Sequence, residues 1–178
     1  MELQAGLCLV RSWRRTDLDS LTKHANNPSV ARNLRDGFPS PYTEVDAERW
    51  LSIVGALEPE TQFALDVGGS AVGGIGLSLG ADIHRIDAEL GYWLGEELWG
   101  RGITTAAINT FVPHSFATYG LERIHAHVFE SNLASARVLE KCGFRLEGRF
   151  RRAAVKNDVV IDMLVYGRIR DDSPVALA

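Results

Sequence analysis

Trp99-Gly100-Arg101-Gly102-Ile103-Thr104-Thr105 places two glycines at a strand-to-helix turn, directly ahead of a helix-forming run. Glycine lacks a Cβ, reaches backbone angles that other residues avoid and lets a ligand approach the main chain. The run that follows opens with hydroxyl residues and sets Ala107, Ile108 and Phe111 at helical spacing. The turn therefore feeds a helix N-terminus, where orphan N–H donors and the positive end of the helix dipole face the same anion. Phosphate is the expected guest, with an ordinary tight turn as the structural alternative. A Walker loop is excluded because no Gly-Lys-Ser/Thr follows, and the dinucleotide fingerprint Gly-x-Gly-x-x-Gly is also missing.

Upstream, Leu7 to Trp13 reads as a first strand, and Asp17 is expected to cap an apolar-periodic run through Leu18, Leu21 and Ala25 that stops near Asn26-Asn27-Pro28. A turn-rich stretch from Arg35 to Tyr42 leads into Thr43-Glu44-Val45-Asp46, a capping-box pattern that predicts a helix to about Leu57 and a loop over a substrate site. Gln62 to Val67 and Ala71 to Leu79 form a hairpin across Gly68-Gly69, and the meander continues from Ile86 to Leu94. Gly73, Gly74 and Gly76 resemble another phosphate loop, but inside a strand pattern they mark a bulge or close backbone packing, and a bulge is the expectation.

Downstream, Pro113 is expected to kink or interrupt the helix that begins at Thr104. Arg123 to Phe129 is a strand with His125 and His127 on one face; no third metal ligand stands nearby in sequence, so both read as structural and no metal is expected. Asn132 caps a helix that Gly143 closes. Phe144 to Arg151 and Val159 to Arg168 form a last hairpin around Lys156-Asn157-Asp158.

The chain has 178 residues, which suits one domain spanning 1–170 followed by a tail, 171–178. Mean hydropathy is -0.06, net charge -4 and pI about 5.7. That acidity argues against direct nucleic-acid binding and suits a cationic amine. No apolar run is long enough to cross a bilayer and no signal-like N-terminus stands out, so the cytoplasm is the expected compartment. Cys8 and Cys142 show neither metal spacing nor a disulfide framework and read as packed thiols.

In this order, Glu89-Leu90-Gly91-Tyr92-Trp93-Leu94, Leu98-Trp99-Gly100-Arg101-Gly102-Ile103-Thr104-Thr105 and Asn132-Leu133-Ala134-Ser135 through Glu140-Lys141-Cys142-Gly143-Phe144 resemble the GNAT superfamily of acetyl-coenzyme-A-dependent N-acetyltransferases over nearly the whole chain. Within it they look most like the branch that holds the ribosomal-protein N-terminal alanine/serine acetyltransferases. The resemblance implies an α+β fold, an α/β three-layer sandwich with a mixed, mostly antiparallel, splayed sheet of about seven strands flanked by helices. It implies that acetyl-CoA binds with its pyrophosphate on Trp99, Gly100, Arg101, Gly102, Ile103, Thr104 and Thr105. Pantetheine is expected beside Tyr92, Trp93 and Leu94, with Asn132 and Ser135 also reaching the cofactor. Ser135 is the expected proton donor to the departing thiolate and Glu89 the expected base, each with a structural alternative: a packed helix residue and a substrate-binding or solvent-facing carboxylate.

The chain departs from common superfamily features. Trp99 stands where many members carry Gln or Arg, and Leu139 where many carry a catalytic tyrosine. Relative to the branch, Thr104 replaces a small residue and Ala106 a glutamate. The expected activity is acetyl transfer to a primary amine, such as a protein N-terminus. A polyamine or aminoglycoside acetyltransferase and a non-catalytic acyl-CoA-binding module are the alternatives, and a homodimer is an open expectation.

Overall fold

Glycine turns and helix caps divide the chain into eight strands and five helices, as described by a computed structural model for residues 1–170. The tail expected from Asp171 lies outside the described residues. The strands are β1 (Glu2–Ala5), β2 (Cys8–Ser12), β3 (Gln62–Val67), β4 (Ser70–Leu79), β5 (Asp87–Leu94), β6 (Arg123–Phe129), β7 (Arg145–Lys156) and β8 (Val159–Ile169). The helices are α1 (Leu18–Ala25), α2 (Pro28–Ala31), α3 (Glu44–Val54), α4 (Ile103–Tyr119) and α5 (Leu133–Lys141). The sheet is mixed, in the order β1-β2-β3-β4-β5-β6-β8-β7, and its one parallel ladder among the registered pairs is β5 with β6. That ladder runs from Asp87↔Arg123 to Glu89↔His125, whereas β5 continues to Leu94 and β6 to Phe129. Registered pairing between these strands ends at Glu89↔His125.

The chain divides into two compact units, Met1–Leu77 with Gly91–Thr110, and Ser78–Leu90 with the residues from Phe111 onward. In the first, β1 is an extra edge strand absent from the sequence reading, joined to β2 through Gly6 at φ +58°. Its four residues alternate weakly, and its pairing with β2 defines it. The β3–β4 turn is the predicted Gly68-Gly69, both at positive φ. The bulge falls at Leu65/Asp66, opposite Gly73 and Ala71, so it leaves Val72 unmatched and is not centred on a glycine. The glycines of β4 serve close approach instead: a Cβ on Gly73 would meet the Trp93 carbonyl, and one on Gly74 would lie 2.8 Å from the Trp93 indole nitrogen.

The capping box of α3 is present, with Thr43 Oγ1 accepting from Asp46 N and Asp46 accepting from Thr43 N. The helix ends at Val54, three residues before the predicted Leu57. Leu21, Ala25, Tyr42 and Ala47 form a buried cluster with Trp13, Phe38, Trp50 and Trp93 packed on it. The stretch from Arg35 to Tyr42, expected as a loop over a substrate site, thus sends its two aromatics into a core, and burial pushes the Tyr42 hydroxyl up to about 12.

Asp17 sits at the N-cap position of α1, yet its side chain makes no cap bond; it binds Arg11 and the Arg14 amide. Arg11 is only 1% exposed and also binds Asp66. Sequence periodicity gave no sign that an arginine would lie in this core.

The second unit is built on β6, β8 and β7, antiparallel in that order. Asn157 and Asp158 both take positive φ at the β7–β8 turn, the conformation a two-residue hairpin requires. Strand β7 runs five residues beyond the predicted Arg151, with irregularities at Leu146/Gly148 and Phe150/Ala154 that let it turn while still pairing. Helix α5 ends as predicted at Gly143, φ +78°. The Phe144 amide reaches the Leu139 carbonyl and the Gly143 amide the Glu140 carbonyl, a Schellman closure.

Pro113 does not break α4, which runs unbroken from Ile103 to Tyr119. A mid-helix proline costs about 3 kcal/mol. Ile108, Phe111, Val112 and Phe116 are all buried, and about 1.5–3 kcal/mol per large apolar side chain outweighs that cost.

Candidate functional site

Gly100 and Gly102 take φ +76° and +75°, so both occupy the left-handed region that excludes most side chains. No atom lies within 4 Å of where a Cβ would stand on either, which leaves the approach to the turn open. Helix α4 begins at Ile103, one residue earlier than the hydroxyl pair suggested, and Gly102 takes the N-cap place: its carbonyl accepts from the Ala106 amide at 3.0 Å. An N-cap glycine has no side chain of its own to satisfy the first-turn amides. Each anion contact with such a terminus is worth about 0.3–1 kcal/mol. Arg101 is exposed and donates to the Glu97 carbonyl at 3.1 Å, which holds its guanidinium near the turn.

The segment before this turn is braced. Trp99 is 41% exposed, and its indole nitrogen donates to the Leu94 carbonyl at 2.7 Å across the short 3-10 turn Glu96–Leu98. That bond uses the Leu94 carbonyl and ties the end of β5 to the glycine turn. The Trp93 side chain packs edge-on to Phe38, with ring centroids 5.6 Å apart. Tyr92 is half-buried at the same strand end. All of these belong to the first unit.

In the second unit the strand alternation carries the chemistry. In β5, Ala88 and Leu90 point inward and Asp87 and Glu89 outward; in β6, Ile124, Ala126 and Val128 point inward and Arg123, His125 and His127 outward. Parallel pairing sets Glu89 opposite His125. Glu89 Oε1 lies 3.0 Å from His127 Nδ1, and Asp87 Oδ1 lies 2.9 Å from His125 Nδ1. Arg123 grips both oxygens of Asp87 at 3.1 and 2.9 Å and also pairs with Glu147. The two imidazoles stand edge to face, 5.2 Å apart. A depression of about 310 Å³ lined by Ser78, Gly80, His84, Asp87, Glu89 and His125 opens on this face.

Asn132 caps α5, its side-chain oxygen accepting from the Ser135 amide at 3.2 Å. Ser135 is half-buried in the first turn of that helix. Glu89 is therefore brought beside two histidines that the sequence reading set aside as structural. Asp87 and Arg123, which position His125, were not singled out at all. Their one visible sign was the His-x-His spacing, because the acidic partners lie 36 to 38 residues away.

Residues 8–145 match the family model described as an acetyltransferase (GNAT) domain. The chain is 38% identical over 99 residues to the uncharacterized N-acetyltransferase YoaA of Bacillus subtilis, covering 56% of this chain and 55% of that one, about half of each. It is 26% identical over 167 residues to the uncharacterized N-acetyltransferase p20 of Bacillus licheniformis, covering 90% and 92%. With the ribosomal-protein-serine acetyltransferase of Escherichia coli it shares 36% identity over 84 residues, 47% of each chain. Among solved structures, RimL in complex with coenzyme A superposes with a TM-score of 0.86 at 19% identity, covering 97% of this chain and 100% of that one. RimJ of Mycobacterium smegmatis gives 0.85 at 24%, covering 98% and 88%. The eight-stranded mixed sheet is thus the fold of these proteins, and the family match over residues 8–145 makes the chain a member of the GNAT family of acetyltransferases, enzymes that draw their acetyl group from acetyl-coenzyme A.

Proposed function

We propose that the protein transfers the acetyl group of acetyl-CoA to a primary amine, with a protein N-terminus as the favoured acceptor. The observation that carries the reading is the open glycine turn at the start of α4, with Gly100 and Gly102 both left-handed and no cap side chain. Its donor set fits an anionic diphosphate: the Ile103 and Thr104 amides, the Arg101 guanidinium and the hydroxyls of Thr104 and Thr105. The cofactor supplies an acyl group activated as a thioester.

The chain's own residues then have three tasks. The turn fixes the cofactor, and the main chain of Tyr92 to Leu94 is assigned to its pantetheine arm. Glu89 takes a proton from the ammonium, so that the neutral amine can attack. Ser135 gives a proton to the departing sulfur; Asn132, by capping α5, fixes the turn on which Ser135 sits. These roles follow the family resemblance, and they agree with the placement of Glu89 on an outward, histidine-lined strand face.

The acceptor rests on the kinship with a ribosomal-protein-serine acetyltransferase. A panel of ribosomal-protein N-terminal peptides, polyamines and aminoglycosides, assayed for thiol release, tests it. Peptide turnover, lowered at least ~10-fold in Ser135→Ala and in Glu89→Gln, is the expected result. Turnover of polyamines or aminoglycosides alone would move the acceptor to small cations, and coenzyme A binding with no turnover of any amine would leave a binding module. No described helix is long and apolar enough to cross a membrane. We assign residues 1–170 to one acetyltransferase domain acting in the cytoplasm, and sedimentation tests the expected homodimer.

A further inference from the structure

We propose that Glu89, His125 and His127 form a binding site for one divalent transition cation of the zinc type, whose occupancy takes Glu89 out of its role as proton acceptor. The three side chains offer one ligand atom each, all within 4.8 Å of one another. Two histidines at i and i+2 on a strand share a face, and the parallel partner strand adds a carboxylate at the same level. Two imidazoles and one carboxylate are a donor set that zinc accepts, with water left to complete the coordination.

The surroundings of the imidazoles favour ligation. A carboxylate can only accept, so the Asp87 contact places the hydrogen of His125 on Nδ1 and leaves the lone pair on Nε2. Such a carboxylate behind a ligating histidine fixes its tautomer and raises its basicity. Asp87 is itself clamped by Arg123, and Arg123 by Glu147, so this support is anchored two residues deep. His127 Nδ1 lies 3.0 Å from Glu89 Oε1, and these two atoms would give up that contact, its proton leaving to solvent, to ligate the cation together. The side chains of His125, His127 and Glu89 are 19%, 22% and 23% exposed, shielded enough to hold an ion and open enough to admit one. The depression lined by Glu89 and His125 provides the entry. Tetrahedral zinc with bonds of about 2.1 Å needs ligand atoms about 3.4 Å apart, so binding requires a contraction that rotation of half-exposed side chains can supply.

The test uses the full chain. Titration with Zn²⁺ by calorimetry, and with Co²⁺ by visible absorption, is expected to show one ion per chain. His125→Ala and His127→Ala should each weaken Zn²⁺ at least ~10-fold, and Asp87→Asn about 10-fold through loss of support alone. Thermal melts confirm that the variants are folded. A measurement on the unaltered chain stands beside them: of the five histidines, Zn²⁺ should shift the imidazole resonances of two, His125 and His127. The proposal is overturned by no binding up to ~100 μM Zn²⁺, by wild-type affinity in the double histidine variant, or by shifts at His24, His84 or His114 instead.

Discussion

Arg11→Met removes the one cation that joins two buried carboxylates, and its cost can be worked out bond by bond. The Nε donates to Asp66 at 2.7 Å, the two terminal nitrogens donate to Asp17 at 2.8 Å each, and one of them also reaches the Ser12 carbonyl at 3.0 Å. The guanidinium is 1% exposed and the carboxylates 5% and 8%, so solvent cannot replace the lost partner. Those bonds, with the hydrogen bonds to Asp17 the leading cause, hold the Arg11 pKa above its ordinary value. Breaking a buried pair from one side costs about 3–5 kcal/mol, because the remaining charge is left uncompensated. At about 2–4 °C per kcal/mol for a chain of this size, the melting temperature should fall by about 6–20 °C. The matched control is Arg14→Ala, which removes an exposed pair with Glu2, 53% and 63% exposed, and should change stability by no more than about 0.5 kcal/mol. Replacing Asp17 and Asp66 by leucine as well would remove the stranded charges, but it also strips acceptors from the Arg14 and Gly69 amides, so recovery should be partial. Urea unfolding measures all four proteins. A loss below about 1 kcal/mol in Arg11→Met would refute the claim that the network is a buried, mutually dependent unit.

Other perturbations read separate parts of the structure. Gly102→Ala and Gly102→Asn add a side chain at φ +75°: alanine should cost about 1–2 kcal/mol of stability and asparagine less, yet both should raise the KM for acetyl-CoA, and an unchanged KM would remove the turn from cofactor binding. Burial holds the His24 pKa below its ordinary 6.5, so the unfolded chain takes up a proton before the folded one does. Stability should therefore be full above about pH 6.5 and decline as pH falls from there towards the folded-state pKa, with a shallower slope in His24→Gln; equal slopes would exclude His24. Burial also pushes Cys142 up to about 11 and raises Cys8, so at pH 7.5 a thiol reagent should label the native chain far more slowly than the unfolded chain, whose two thiols react fully.

Helix ends, hairpin turns and the glycine turn were legible in the residues, because each depends on neighbours within about four positions. Asn132 with Gly143, Thr43 with Asp46, Gly68-Gly69 and Asn157-Asp158 all carry their own geometry, and Gly100 and Gly102 declared a left-handed backbone by lacking a Cβ. Pro113 does not interrupt its helix because its local cost is overcome by burial, a property of the packed chain and not of the helix. Edge strand β1 exists through its pairing with β2, and Arg11 is buried because folding brings Asp17 and Asp66 to it, the latter 55 residues away. The same holds for the histidines of β6. Their spacing was visible from the start, but only the parallel register of β5 and β6 sets Glu89 beside His127 and Asp87 beside His125. Strand register across such a separation is chosen by the whole sheet, so the sequence alone determined the left-handed glycine turn, and tertiary structure decided which acids the histidines would meet.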